Sequence, residues 1–583
     1  MVGRARIFLH TAGLVFCLAL LAGCGKSSPP AGPGAAQSED ALSSAWPAFT
    51  EQFIEAYFRA NPSFAAGQGR HEFDGGLPDW SAAGIQAEID RLQQAREHAS
   101  GLDSASLSAR QQFERAYLVS RIDERLFWMR DARQPFTNPA YYFDNGLDPS
   151  TYVSVPYAPA GTRLKAFVKY AKAIPNAVAQ IRSNLKAPLP RTFVDYGIAG
   201  FGGFANFYRN DVPRAFAEVQ DKELQQELAA AIEPAAKAMQ EMSEWLQSQR
   251  EQATDDFALG AERFAAMVRL TENVTTAVEK LEAIGRADLE RNLAALAAAC
   301  NAYSPKTSIE ACIGKQGKDK PAGGAVEGAR RQLEELRQFV LDKDLVSIPG
   351  TEQALVEEAP PYRRQNFAYI NIPGPYETNL PSVYYIAPPD PSWTKAEQQD
   401  YIPGKANLMF TSVHEVWPGH FLQFLHSNRT SWRFGQLFVG YGFAEGWAHY
   451  TEELMVEEGL AQDAPELRVG QLLNALLRNV RYLCAIGLHT KGMSVQQCEA
   501  MFKEKAYQDV GNARQQASRG TYDPAYLNYT MGKLMILKLR SDWQAENPDR
   551  TLQEFHDEFL SYGGPPIPLV REQMLHDGSE ELF

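Results

Sequence analysis

From about Ser44 to Leu345 the apolar residues return at the spacing of an α-helix. Ile85, Ile89 and Leu92 form one stripe, and Leu118, Ile122 and Leu126 a second. Leu224, Leu228 and Ile232 form a third, and Val274, Val278, Leu281 and Ile284 a fourth. Residues three and four apart share one helix face, so such stripes are core-facing sides of packed helices. After Ile348-Pro349-Gly350 the texture changes. Asn366–Ile372 and Ser382–Ala387 are β-branched and aromatic, with Pro-Gly-Pro between them, and read as a hairpin or pair of strands. From Ala406 helices return, with breaks at Gly435–Gly442 and Lys491–Ser494. Tyr303–Gly324, rich in Lys, Gly and Pro, reads as a surface loop. The expectation is a mainly α, multi-helix fold with a small β-hairpin or sheet near the segment that carries the chemistry. It divides into an N-terminal helical region, 44–345, and a catalytic region, 346–583.

Composition removes several classes. With 45% hydrophobic and 22% charged residues the chain is neither disordered nor fibrous. Its net charge of −14, with no long basic tract, gives no support to binding a phosphate backbone, so no nucleic-acid partner is expected. Gly200-Phe201-Gly202-Gly203-Phe204-Ala205 matches GxGxxA, but no apolar strand precedes it, and a dinucleotide site is not expected.

The first residues form an export device. Arg4 and Arg6 precede an apolar run from Ile7 to Ala22, too short for a membrane span, and a polar, Pro-rich stretch follows. Leu21-Ala22-Gly23-Cys24 looks like a bacterial lipoprotein box. Residues 1–23 are then a signal peptide, Cys24 the lipidated first residue, and 24–43 a flexible tether. Lys26 is unlike the Asp that holds lipoproteins at the inner membrane. The expected location is the cell envelope, lipid-anchored at the outer membrane and facing the periplasm. Four further interior cysteines, Cys300, Cys312, Cys484 and Cys498, form two sequence-local couples. In an oxidising compartment these read as two disulfides, Cys300 with Cys312 and Cys484 with Cys498.

The chemistry concentrates in one stretch. Of ten histidines, His414, His420, His426 and His449 fall within 36 positions. His414 and Glu415 open the run HEVWPGH, which ends in His420. A zinc-binding helix usually places its two histidines one turn apart, with a glutamate base between them. At a separation of six, an unbroken helix would point them about 240° apart. Pro418-Gly419 breaks the helix and lets His420 swing back. A catalytic zinc takes a third protein ligand and leaves one position open. Glu445 and His449, at i and i+4 on the following helix, share one face, and spacing leaves both available.

HEVWPGHFLQ followed by FAEGWAHYTEEL resembles the bacterial domain-of-unknown-function family numbered eight-eight-five, regarded as gluzincin-like metallopeptidases and often lipoproteins. The likeness extends to Gly69–Asp74 with Leu77-Pro78-Asp79, to Leu488-His489, and to Tyr529–Lys533. The family often has a second histidine after PGH, where this chain has Phe421, and an aliphatic residue where it has His449. The resemblance implies an almost wholly helical fold with a deep channel, one zinc ion per chain held by His414, His420 and Glu445, and Glu415 as base. His449 would then line the pocket. His489 and Tyr529 would serve as oxyanion donors. Arg481 would grip a substrate carboxylate. The strands near 366–372 and 382–387, Tyr384 among them, would receive an extended peptide. The function expected is a zinc peptidase of the cell envelope. The alternatives are a zinc hydrolase of other amides and a catalytically inactive binding lipoprotein.

Overall fold

The structure, a computed structural model, describes residues 42, 45–360, 364, 367–377, 379–575 and 581–583. The leader, Cys24 and the tether through residue 41 lie outside the described residues. The described residues are mainly helical and gather around two apolar cores. The first gathers residues from Trp46 to Ala253, with Phe434, Leu437 and Leu569 added from far along the chain. The second runs from Phe264 to Leu575 and takes in Phe127. The stripes read from the sequence supply these cores: Ile85, Ile89, Leu92, Leu118, Ile122, Leu126, Leu224, Leu228 and Ile232 are all buried.

The change of texture near residue 350 therefore does not mark the boundary between cores. Helices Ala261–Glu272 and Val278–Tyr303 pack on helix Pro465–Thr490, and helix Gly324–Asp342 packs on Lys405–Glu415. Their apolar faces, including Leu281, Leu296, Leu336 and Val340, bury against the segment that carries the histidines. Residues 264–345 thus share a core with the histidine cluster, because an amphipathic helix is placed by the face it must bury and not by its position in the sequence.

Two sequence expectations are corrected, for the stretch 303–324 and for Tyr384. Tyr303–Gly324 is not a plain loop. Helix Ile309–Lys318 occupies its middle, with the Ser308 hydroxyl accepting from the Ala311 N–H at 3.2 Å. It carries Cys312, bonded to Cys300. The second bond joins Cys484 to Cys498. The glycine-rich run at 200–205 lies inside helix Arg191–Asn210, where no phosphate-cradling turn exists. The two expected strands pair antiparallel within a sheet of three: β1 (Ala354–Glu358), β2 (Ala368–Asn371) and β3 (Ser382–Ile386), in the order β1-β3-β2. β3 runs parallel to β1 and antiparallel to β2. As the middle strand, β3 has both hydrogen-bonding edges filled, so Tyr384 cannot receive an added peptide strand there. Among the described residues no helix is long and apolar enough to cross a membrane.

Candidate metal centre

Helix Lys405–Glu415 stops one residue after His414. Val416 leaves helical geometry at φ −126°, ψ −75°, and Pro418 has no N–H to continue the ladder. The chain folds back hard enough that the Gly419 N–H donates to the Val413 carbonyl at 3.0 Å. A Cβ on Gly419 would lie 1.9 Å from the His414 carbonyl oxygen, so only glycine fits this approach. His420 then opens a new helix, His420–Ser427. The break between the histidines is complete, and it returns the second imidazole to the first, with ring centroids 4.8 Å apart. Trp447, fully buried, donates from its indole to the Pro418 carbonyl at 2.9 Å and pins the loop to the next helix.

That next helix, Tyr441–Glu457, supplies the carboxylates. Its N-terminal half crosses helix Asn528–Glu546 at backbone distance: a Cβ on Gly446 would meet the Gly532 Cα at 2.6 Å. Glu445 Oε2 stands 3.2 Å from His414 Nε2 and 3.4 Å from His420 Nε2. These three donor atoms lie within 4.8 Å of one another. Two turns further on, Glu452 reaches the other side of the same imidazole, its Oε1 2.8 Å from His414 Nδ1. Arg478 Nη2 is 3.0 Å from that oxygen.

This pattern decides the tautomer. An ionised carboxylate only accepts, so His414 Nδ1 carries the proton it gives to Glu452, and the neutral ring turns a lone pair outward from Nε2. Arg478 and Nδ1 are then both donors sharing Glu452, and their 3.1 Å approach is not a bond between them. The Nε2 lone pair faces a carboxylate oxygen and a second imidazole nitrogen. Such a donor set requires a proton or a cation at its centre. With a proton there, the bonds to Glu445 and Glu452 outweigh burial and the charge of Arg478, and push His414 up to about 9. Glu445 is held well below the carboxylate range: burial opposes this, but the His420 charge and the His414 bond prevail. Two histidines and one carboxylate, one of the histidines oriented by a second carboxylate, are the donors a divalent metal accepts.

The remaining candidates are placed as follows. Glu415 is half-buried at the end of the His414 helix. Tyr529 lays its ring over His414, centroids 6.3 Å apart and planes 21° from parallel. Arg481 also sits over that phenol ring, its guanidinium carbon 4.9 Å from the ring centre. His449 is wholly buried, outside the donor trio, with Nδ1 3.6 Å from Glu452 Oε2. Burial pushes its pKa down to about 4. It backs Glu452 and lines no open pocket. Tyr384 is fully buried, and its phenol is raised first by burial and then by the charge of Glu415. His489 is not at the site. Its Nε2 donates to the Gly520 carbonyl at 2.8 Å and its Nδ1 accepts from the Leu259 N–H at 3.2 Å, so neither nitrogen is left for an oxyanion. Two cavities of about 510 and 310 Å³ are lined by other residues, among them Arg96 and Arg130 in the first and Phe113 and Trp432 in the second.

Glu452 and Arg478 are the residues sequence reading missed. The signal was present for Glu452, which stands seven positions after Glu445 and so on the same face. For Arg478 there was none. Behind them, fully buried Lys533 bridges Asp288 at 3.0 Å and Glu453 at 3.2 Å, tying helices Val278–Tyr303, Tyr441–Glu457 and Asn528–Glu546 together.

The fold and the cluster define a large helical protein with a candidate two-histidine, one-glutamate metal centre. The chain belongs to the family described as "Bacterial protein of unknown function (DUF885)", whose model matches residues 62–574. Two solved structures share its fold. One, a candidate lipoprotein of unknown function from Shewanella oneidensis, has a TM-score of 0.76 at 22% identity, covering 91% of this chain and all of that one. The other, a candidate lipoprotein from Colwellia psychrerythraea, has a TM-score of 0.76 at 16% identity, covering 91% of this chain and 99% of that one. Among proteins of curated function the chain finds no match.

Proposed function

We propose that the protein is a zinc-dependent peptidase of the cell envelope. The observation that carries this is the convergence of His414 Nε2, His420 Nε2 and Glu445 Oε2 on one point, with the far side of His414 held by Glu452. Zinc bound at about 2.0–2.1 Å in a tetrahedral site spaces its ligands by about 3.3 Å. The two distances to Glu445, 3.2 and 3.4 Å, are of that size. An ion held there would supply Lewis acidity, lowering the pKa of water towards about 7 and polarising a scissile carbonyl.

The chain's own residues do the rest. Glu415, next to His414, accepts the proton of the attacking water at its carboxylate and passes it to the leaving amine. Glu452, itself held ionised chiefly by the Arg478 charge against its burial, keeps His414 in the tautomer with Nε2 available. Tyr529, whose ring lies over His414, would donate from its phenol to a developing oxyanion. The lipoprotein box at Leu21–Cys24, together with the names of the two structural relatives, supports a lipid anchor at the N-terminus. That anchor would hold the protein at the outer membrane.

The test is metal analysis of the purified chain followed by mass spectrometry of digested peptide pools. About one zinc per chain and chelator-sensitive cleavage are expected. A chain that takes up no divalent metal, or that cleaves with the metal stripped, rules the reading out.

A further inference from the structure

Arg478, Arg481 and Lys533 are buried around the site and Arg519 is half-buried beside them, and three of the four have acids. Arg478 pairs with Glu452 at 3.0 Å, Arg519 with Asp523 at 2.9 Å, and Lys533 with Asp288 and Glu453. Arg481 is the exception. It is 8% exposed, yet among the described residues no carboxylate lies within ion-pair distance of it. Its Nε donates to Gln516 Oε1 at 2.8 Å, its plane rests on Tyr529, and its Nη nitrogens have no protein partner among the described residues. Burying a charge without a counter-charge is costly, and buried charges are ordinarily paired. Burial, reinforced by the positive charges of Arg519 and Arg478, pulls its pKa below the usual arginine value.

Its position says which anion would fit. Arg481 and His414 both lie against Tyr529, with 4.9 Å from guanidinium to ring and 6.3 Å from ring to imidazole. Arg481 thus stands no more than about 11 Å from the centre of the His414 ring. An extended chain advances at most ~3.6 Å per residue. A peptide whose scissile carbonyl lies at the metal centre would therefore bring an anion within about three residues of that carbonyl to Arg481. A guanidinium pairs with a carboxylate through two parallel N–H bonds.

Resting on the peptidase reading above, we infer that Arg481 is the receptor for the C-terminal carboxylate of the substrate, so that the protein is a carboxy-terminal exopeptidase releasing short pieces of no more than about three residues. Arg481 is a specificity residue and takes no part in proton transfer. Gln516 fixes the guanidinium from behind, and the Tyr529 ring holds its plane.

The experiment uses a mixed-sequence pool of N-acetylated hexapeptides, made once as free acids and once as C-terminal amides. Retention on immobilised, zinc-loaded Glu415→Gln protein is read by mass spectrometry, which needs no turnover. Free acids are expected to be enriched at least tenfold over amides. Adding Arg481→Gln should bring that ratio to about one, and adding Arg481→Lys should keep part of it. Circular dichroism checks each variant for folding, and the ratio within the Glu415→Gln protein stands if Arg481→Gln does not fold. Equal retention of acids and amides, or a ratio unchanged by Arg481→Gln, overturns the inference. Digestion of the same pools by the unaltered protein separates the two readings. Internal cleavage of acids and amides alike overturns the exopeptidase inference alone. Acid-selective retention with no cleavage under any metal leaves the carboxylate receptor standing and refutes the peptidase.

Discussion

Glu452 accepts the Nδ1 proton of His414 at 2.8 Å, so a carboxylate two turns along the helix from Glu445 decides which nitrogen of the first histidine faces the candidate metal. Removing such a partner loosens the ring and lowers its basicity, and typically costs ~10–100-fold in metal affinity. Glu452→Gln should therefore weaken zinc binding by about that factor while keeping the fold. Competition with a zinc chelator of known affinity measures it. An unchanged affinity would mean that Glu452 only neutralises Arg478.

Glu415→Gln should retain zinc and lose ~10²–10⁴-fold in peptide turnover, because the amide cannot accept the water proton. Metal content and rate are measured on the same preparation. Near-full turnover with zinc bound would remove Glu415 from the mechanism.

The two candidates for third ligand can be separated directly. Glu445 touches both histidines, whereas His449 is sealed behind Glu452. Glu445→Ala should lose most of its zinc. His449→Ala should keep it and lose ~2–4 kcal/mol of stability from the cavity left behind. Metal analysis with denaturant unfolding distinguishes them, and the reverse order would put three histidines on the metal.

His489 makes a prediction about pH. Burial depresses its pKa from 6.5 to about 4, against the opposing bond to the Gly520 carbonyl. The folded state keeps it neutral, so its contribution to stability is full above pH 6.5 and falls away as the pH drops towards 4. Over that window the loss is about 3 kcal/mol. His489→Gln retains a donor and an acceptor but does not titrate. Urea unfolding of both proteins at pH 7.5 and pH 4.5 should show the wild type losing ~2–3 kcal/mol more than the variant. The zinc-loaded variant should keep its peptidase activity at pH 7.5. Equal losses would mean that the imidazole is charged in the fold.

Much of this protein is legible from short-range pattern. Helical periodicity set the fold class, because a face three or four residues apart has to be buried wherever it ends up. HEVWPGH named His414, Glu415 and His420, because Pro and Gly between two histidines announce a broken helix. The i and i+4 spacing brought Glu445 and His449 forward together and could not choose between them. The family resemblance pointed to Glu445, and what only the tertiary structure adds is side-chain direction: Glu445 faces both imidazoles, while His449 turns into the core behind Glu452. Contacts across long sequence gaps were equally out of reach. Arg478 meets Glu452, Tyr529 lies over His414, and residues 264–345 close the core beneath them, only because helices far apart in the chain bury complementary faces. His489 shows the limit from the other side. It lies beside a recognisable motif, yet tertiary packing gives both its nitrogens to backbone groups, Leu259 and Gly520, and takes it out of the site.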